Sequence, residues 1–158
     1  MDIRVGYGYD VHQLVEGREL WLGGVQFEHE KGVLGHSDAD VLLHAICDAL
    51  LGAAGLRDIG FQFPDTALEY KGIDSKKLLA TTIEKIMENG WRVNNIDATV
   101  NLERPKILKR VDEMKQVISQ ICAISHDAVS IKATTGEKMG FVGREEGVEA
   151  SAVVLIIR

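Results

Sequence analysis

Ser37-Asp38-Ala39-Asp40-Val41-Leu42-Leu43-His44, continuing through Ala45-Ile46-Cys47-Asp48-Ala49-Leu50-Leu51-Gly52-Ala53-Ala54, is the stretch on which the fold turns. Its polar opening resembles a capping box, and the apolar run behind it predicts a helix to about Ala54, stopped before Gly55. Residues four apart share a helix face, so Asp40, His44 and Asp48 fall on one side. Upstream, Ile3, Val5, Tyr7 and Tyr9 alternate with Arg4, Gly6 and Gly8, which predicts a strand. Leu20 to Phe27, with Gly23-Gly24 inside it, reads as a short strand or hairpin arm. Downstream, a second helix is expected from Asp74 or Ser75 to Gly90, with Leu78, Leu79, Ile83, Ile86 and Met87 as its apolar stripe. A third follows Pro105 and carries Leu108, Val111, Met114, Ile118, Ile121 and Cys122 on one side. Strands are expected around Ile96 to Leu102, Val129 to Ala133 and Val148 to Ile157. Helices interleaved with strands in this way predict an α+β fold, an α/β sandwich in which a mixed four- to five-stranded sheet carries its helices on one face. No linker, repeat or low-complexity tract interrupts the chain, so residues 1–158 are expected to form a single domain.

The 158 residues, 46% apolar and 27% charged, have the composition of a globular protein that buries roughly 68–70% of its unfolded surface. A formal charge of -6 argues against binding a nucleic-acid backbone, since no excess of basic side chains is present to displace counterions. An acidic chain that handles anionic substrates must supply positive charge locally, and metal ions are one means. Met1-Asp2-Ile3-Arg4 lacks the basic and apolar regions of a signal peptide, and the apolar run Ala152 to Ile157 is too short to span a bilayer. Cys47 and Cys122 sit among apolar residues without metal-ligand spacing and read as small buried hydrophobes. A reducing cytoplasm is the expected setting.

Asp10-Val11-His12 is the strongest chemical signal. On an extended chain Asp10 and His12 point to the same side. With His44 they make three ligands and leave one open position, as in a catalytic zinc site. Nitrogen and oxygen donors suit manganese or iron as well. Taken alone, the same residues read equally as a capped strand end followed by an amphipathic helix with a solvated histidine. Asp40 or Asp48 is the expected partner for the second ring nitrogen of His44. His29 and His126 read as a solvated and a structural residue. His36 directly precedes a helix N-terminus, where anions are favoured.

Thr134-Thr135-Gly136-Glu137-Lys138 follows an expected strand and offers hydroxyls and a carboxylate to phosphate oxygens or magnesium. By composition alone it reads first as a polar turn between secondary structures. Arg104-Pro105-Lys106 is a basic turn or a nucleotide clamp, and Gly140-Phe141-Val142-Gly143-Arg144 brings an aromatic ring and a guanidinium into a glycine-rich loop. Asp58-Ile59-Gly60 and Phe63-Pro64-Asp65 lie in a long connection of the kind that is more often functional than filler.

These blocks, in this order and spacing, resemble the 2-C-methyl-D-erythritol 2,4-cyclodiphosphate synthase family of isoprenoid precursor synthesis along nearly the whole chain. The family's opening motif is met by Gly6-Tyr7-Gly8-Tyr9-Asp10-Val11-His12. Its signature helix is met by His36-Ser37-Asp38-Ala39-Asp40-Val41 through His44 and Asp48-Ala49-Leu50-Leu51-Gly52. Asp58-Ile59-Gly60, Phe63-Pro64-Asp65, Arg104-Pro105-Lys106 and Lys132-Ala133-Thr134-Thr135 follow in register. The resemblance implies that Asp10, His12 and His44 bind zinc, or manganese in its place. It implies that His36 and Thr135 stabilise the transition state, and that Glu137 helps to hold a second cation, magnesium or manganese, with the diphosphate. Leu102, Arg104, Pro105, Lys106, Ile107 and Leu108, with Ala133, Thr134 and Thr135, would hold the cytidine diphosphate part of the substrate. Asp10, Val11, His12, His36 and Ser37 would border it at the metal. Asp58, Ile59, Gly60, Phe63, Pro64 and Asp65 would meet the methylerythritol phosphate end, with Phe141 and Arg144 nearby.

The implied reaction turns 4-diphosphocytidyl-2-C-methyl-D-erythritol 2-phosphate into the cyclic diphosphate and cytidine monophosphate. The implied assembly is a homotrimer, with the nucleotide pocket of one subunit facing the metal of its neighbour. No nucleic-acid or membrane partner is implied. The expected location is the cytoplasm, or a plastid stroma after removal of a transit peptide. Two positions depart from the family pattern. Gly136 replaces a common third threonine, and Glu145 stands where glycine is expected. A zinc phosphohydrolase and a non-catalytic trimeric metal- or nucleotide-binding protein are the competing readings.

Overall fold

The computed structural model describes residues Met1–Arg158. The elements follow the chain as β1 (Ile3–Glu16), the hairpin β2 (Leu20–Leu22) and β3 (Val25–Phe27), β4 (Lys31–Val33), α1 (Val41–Ala54) and the short α2 (Ile59–Gln62). Then come α3 (Ser75–Glu88), β5 (Arg92–Asn101), α4 (Val111–Cys122), β6 (Val129–Thr134), the single turn α5 (Gly140–Gly143) and β7 (Gly147–Ile157). Five strands form one mixed sheet in the order β4-β1-β7-β5-β6, in which only β5 and β6 run parallel. Helix α1 lies across β1, β7 and β5, and α3 and α4 complete one helical layer over the same face. This is the α+β arrangement expected from the sequence. A single cluster of 38 buried residues fills the space between sheet and helices. No helix is long and apolar enough to cross a membrane.

The alternation along β1 carries an inversion. Ile3, Val5, Tyr7 and Tyr9 are exposed, whereas Gly6 and Gly8 are buried against α1. The helix comes so near that a Cβ on Gly8 would lie 1.9 Å from the Ala45 carbonyl oxygen, and one on Gly6 would lie 1.9 Å from that of Ala49. Ala45, Ala49 and Ala53, four residues apart on α1, complete this close packing of small residues. The outer sheet face therefore presents Val5, Tyr7 and Tyr9 of β1, with Val153 of β7 facing Tyr7 across the ladder.

Helix α1 begins after Asp40 rather than in a capping box at Ser37. The Asp40 carboxylate accepts the Leu43 N–H at 3.0 Å. It also takes the N–H groups of Gly23 at 2.9 Å and Gly24 at 2.7 Å, which fastens the β2–β3 hairpin to the helix. Asp40 is fully buried, and burial pushes its carboxyl above the usual range. Gly55, with φ of 77°, closes α1 in a left-handed turn. Two stripe residues expected inside lie outside. Met87 faces water near the end of α3, and Leu108 stands in a single 3-10 turn before α4 begins at Val111. At the strand ends of β1 and β7 the termini run side by side, the Asp2 N–H donating to the Arg158 carbonyl at 2.9 Å and the Arg158 N–H to that of Asp2 at 3.1 Å.

Candidate active site

Asp10 and His12 project from β1 toward the first turn of α1, where His44 meets them. Asp10 Oδ2 lies 3.0 Å from His12 Nε2 and 3.1 Å from His44 Nδ1. One ligand atom from each residue falls within 4.8 Å of the other two. The second nitrogen of each ring is engaged elsewhere, His12 Nδ1 by the Leu34 carbonyl at 3.1 Å and His44 Nε2 by Ser75 Oγ at 2.9 Å. In a neutral ring, donation at those nitrogens leaves the lone pair of His12 Nε2 or His44 Nδ1 on the side of Asp10, free for a cation, and a protonated ring donates to Asp10 from the same nitrogen. Burial raises the Asp10 carboxyl, but hydrogen bonds to His12 and His44 outweigh it and hold the group below the usual carboxylate range. The same contact with Asp10 raises His12 against the opposing effect of burial. Two imidazole nitrogens and one carboxylate oxygen with an open side fit a divalent cation of the zinc or manganese type.

The orienting partners differ from those expected. Asp40 is occupied with its cap and the hairpin, and Asp48 accepts the Ile59 N–H at 2.7 Å. Ser75, Asp38 and the Leu34 carbonyl hold the rings instead. Ser75 lies 31 residues from His44, and no spacing in the sequence marks it.

The three donors line a cavity of about 470 Å³ together with His36, Ser37, Ile59, Gly60, Phe63 and Asp65. That volume lies in the range of small-molecule sites. Most of the residues expected at the methylerythritol phosphate end are thus gathered around the donors. Tyr70, Ile73 and Leu78, which the sequence does not single out, complete the wall. Asp58 stands behind it as the cap of α2, accepting the Phe61 N–H at 2.8 Å. Pro64 is exposed beside Phe63, and Val11 points to the outer sheet face.

Thr135 and Phe141 lie elsewhere, in a smaller hollow of about 170 Å³ bordered by Asn101, Gly136 and Glu149. Val11 pairs with Glu149, Glu149 with Asn101, and Asn101 with Thr134. The Thr134 end is therefore three strand spacings from β1, on the order of 14 Å. Within one chain the two groups of candidate residues do not meet. Thr135 Oγ1 accepts the Glu137 N–H and faces Glu137 Oε1, each at 3.3 Å. Glu137 and Lys138 both hold left-handed backbone conformations, with φ of 51° and 61°, and such strain clusters at functional loops. The Leu102–Leu108 segment is tied to this loop by the Leu102 N–H to the Thr134 carbonyl and the Gly136 N–H to Glu103 Oε2, each 2.9 Å. Leu102 and Ile107 anchor it in the core, while Lys106 and Leu108 face outward.

Both departures from the family pattern have a physical account. A Cβ on Gly136 would lie 2.7 Å from the Gly143 backbone nitrogen, so a threonine does not fit this loop as it stands. Glu145 has φ of 56°, where a side chain costs about 1–2 kcal/mol. Its carboxylate takes a two-pronged bond from Arg104, at 2.6 and 2.8 Å, and its carbonyl accepts Lys31 Nζ at 2.8 Å. Glu145 thereby ties the 102–108 segment to the loop before β7. His29 is half-buried rather than solvated, and His126 pairs with Asp112 at 3.1 Å.

A mixed sheet with helices on one face and a histidine–histidine–carboxylate group at their seam defines an α+β protein with a candidate metal centre. The profile of the YgbB family matches residues 3–157, and the chain belongs to that family. It is 64% identical over 158 residues to a 2-C-methyl-D-erythritol 2,4-cyclodiphosphate synthase of Bacteroides fragilis, covering 100% of this chain and 99% of the relative. Among solved structures, the bifunctional IspDF of Campylobacter jejuni superposes with a TM-score of 0.94 at 41% identity. That match covers 98% of this chain and 42% of the longer protein. A 2C-methyl-D-erythritol-2,4-cyclodiphosphate synthase structure described as the CDP-bound form superposes with a TM-score of 0.91 at 34% identity, covering 98% and 100% of the two chains.

Proposed function

We propose that residues 1–158 act as one catalytic domain that converts 4-diphosphocytidyl-2-C-methyl-D-erythritol 2-phosphate to 2-C-methyl-D-erythritol 2,4-cyclodiphosphate and cytidine monophosphate. The observation that carries this reading is the convergence of Asp10, His12 and His44 in a cavity walled by the blocks shared with the family. A bond forms between an oxygen of the 2-phosphate and the β-phosphorus. The bond from that phosphorus to the bridging oxygen breaks, and cytidine monophosphate departs with the electron pair. The nucleophile is already an anion, so the chain needs no serine or cysteine nucleophile. Its work is to position the ends and neutralise charge, as in phosphoryl transfer generally. Orientation of an intramolecular attack supplies about 7–11 kcal/mol.

Asp10, His12 and His44 would hold zinc or manganese, which when bound supplies Lewis-acid stabilisation of phosphoryl oxygens. Glu137 would help to hold magnesium or manganese with the diphosphate. His36 at the cavity rim and Thr135 in the second hollow offer donors to phosphate oxygens. Ile59, Gly60, Phe63 and Asp65 enclose the methylerythritol end, and the 102–108 segment with Ala133, Thr134 and Thr135 holds the cytidine diphosphate end. Phosphorus NMR of the protein with this substrate, zinc and magnesium should show two coupled ring phosphates appearing with cytidine monophosphate. Linear phosphates that carry oxygen from solvent would indicate a hydrolase instead. An unchanged substrate in zinc-loaded protein would indicate a binding protein.

The separation of the two hollows within one chain supports a homotrimer in which the nucleotide hollow of one copy meets the metal cavity of the next. The outer sheet face supplies a surface for that assembly through Ile3, Val5, Tyr7, Tyr9, Val11 and Val153, all exposed. Contiguous apolar surface of this kind marks an interface. Sedimentation should return three times the chain mass of 17.4 kDa. Tyr7→Asp, at a position 65% exposed in the single chain, should leave the fold intact, reduce the mass toward one chain and remove turnover. A monomeric, fully active parent protein would end the trimer reading. Cys47 and Cys122 are free and buried, in keeping with a cytoplasmic reaction.

A further inference from the structure

We propose that Asp38 and Ser75 form a relay that fixes His44 for metal binding, making both of them positioning residues. The inference rests on the metal reading of Asp10, His12 and His44. Ser75 is the first residue of α3 and is fully buried. Its Oγ lies 2.9 Å from His44 Nε2, and its O–H is in short contact with Asp38 Oδ1. A carboxylate accepts only, and a hydroxyl has one hydrogen, so the Ser75 hydrogen goes to Asp38 and its lone pair faces His44. His44 must then carry its proton on Nε2, which leaves Nδ1 free on the side of Asp10. The relay is itself clamped. Asp38 Oδ2 accepts the Ser75 N–H at 3.0 Å and Oδ1 accepts the Asp40 N–H at 3.2 Å, so one carboxylate spans the entries to α1 and α3. Ser37 Oγ, 3.3 Å from His44 Nε2, is the more distant neighbour and accepts the Ala39 N–H at 2.9 Å. Partners of this kind set the tautomer and ring angle of a ligating histidine. Here a hydroxyl is interposed between carboxylate and imidazole, so the ligand on α1 is held through α3.

Zinc dissociation constants, measured by chelator competition, test the relay. The parent protein should bind zinc and His44→Ala should not, which checks the metal reading separately. Ser75→Ala should weaken zinc binding by about 10- to 100-fold. Asp38→Asn should weaken it too, because an amide has one oxygen for the three donors now shared by two. The double variant should bind zinc no worse than Ser75→Ala, since Asp38 acts through Ser75. With cobalt in place of zinc, the visible bands should shift in Ser75→Ala. Undiminished affinity in a Ser75→Ala protein with native near-ultraviolet circular dichroism, or losses that simply add in the double variant, would overturn the relay. Should Ser75→Ala not fold, unchanged affinity in folded Asp38→Asn overturns it alone.

Discussion

His44→Ala should bind no zinc and lose turnover by a factor on the order of 10²–10³ or more, the scale for removing a main source of transition-state charge stabilisation. The fold should survive. Eleven other residues of α1 are buried and hold the helix on the sheet. Alanine is also the better helix former, so far-ultraviolet circular dichroism should not change. The loss is local to the seam between β1 and α1, where His44 supplies one of three donors gathered within 4.8 Å. Metal analysis and turnover measured on the same preparation decide the matter. Retained turnover in a metal-free His44→Ala protein would refute the assignment of Asp10, His12 and His44.

Gly8→Ala should be among the most damaging single methyl additions in the chain. The new Cβ would sit 1.9 Å from the Ala45 carbonyl oxygen and 2.7 Å from the Ala49 nitrogen, both backbone atoms of α1 that cannot rotate aside. Overpacking commonly costs about 1–3 kcal/mol, and a clash with a helix backbone belongs at or beyond the top of that range. Any protein that still folds must lift α1 from β1, which separates His44 from Asp10. Denaturant unfolding should therefore show a large drop in stability, accompanied by weakened zinc binding. Gly52→Ala provides the contrast. It lies in the same helix, exposed, with nothing within 4 Å of a new Cβ, and should gain about 0.5–1 kcal/mol. A stable Gly8→Ala protein with full zinc affinity would show that α1 does not need its close seat on β1.

The helices, strands and sheet class were legible in periodicity because burial enforces it. Leu78, Leu79, Ile83 and Ile86 lie inside as their spacing demands, while Met87 and Leu108 fall at element ends where the period no longer binds. Asp10 and His12 were legible as a pair because a strand repeats every two residues. The inversion of β1 follows from Gly6 and Gly8 only once a helix is placed over them. Ser75 was not legible, since its contact with His44 depends on how α3 packs against α1. Nor was the separation of Thr135 from the metal cavity, because adjacency in a sheet follows strand order and not chain order.

The paired termini have a consequence of their own. Asp2 and Arg158 are joined by two backbone hydrogen bonds and by an ion pair at 2.8 Å. Asp10 lies seven residues farther along the strand from Ile3, about 24 Å away at the rise of an extended chain. Anything appended at either end leaves from the ends of two inner strands, remote from the cavity, so this architecture is suited to tandem fusion and circular permutation. A short peptide linking Arg158 to Met1, with new ends opened at exposed Leu68-Glu69, would preserve every strand pairing of the sheet.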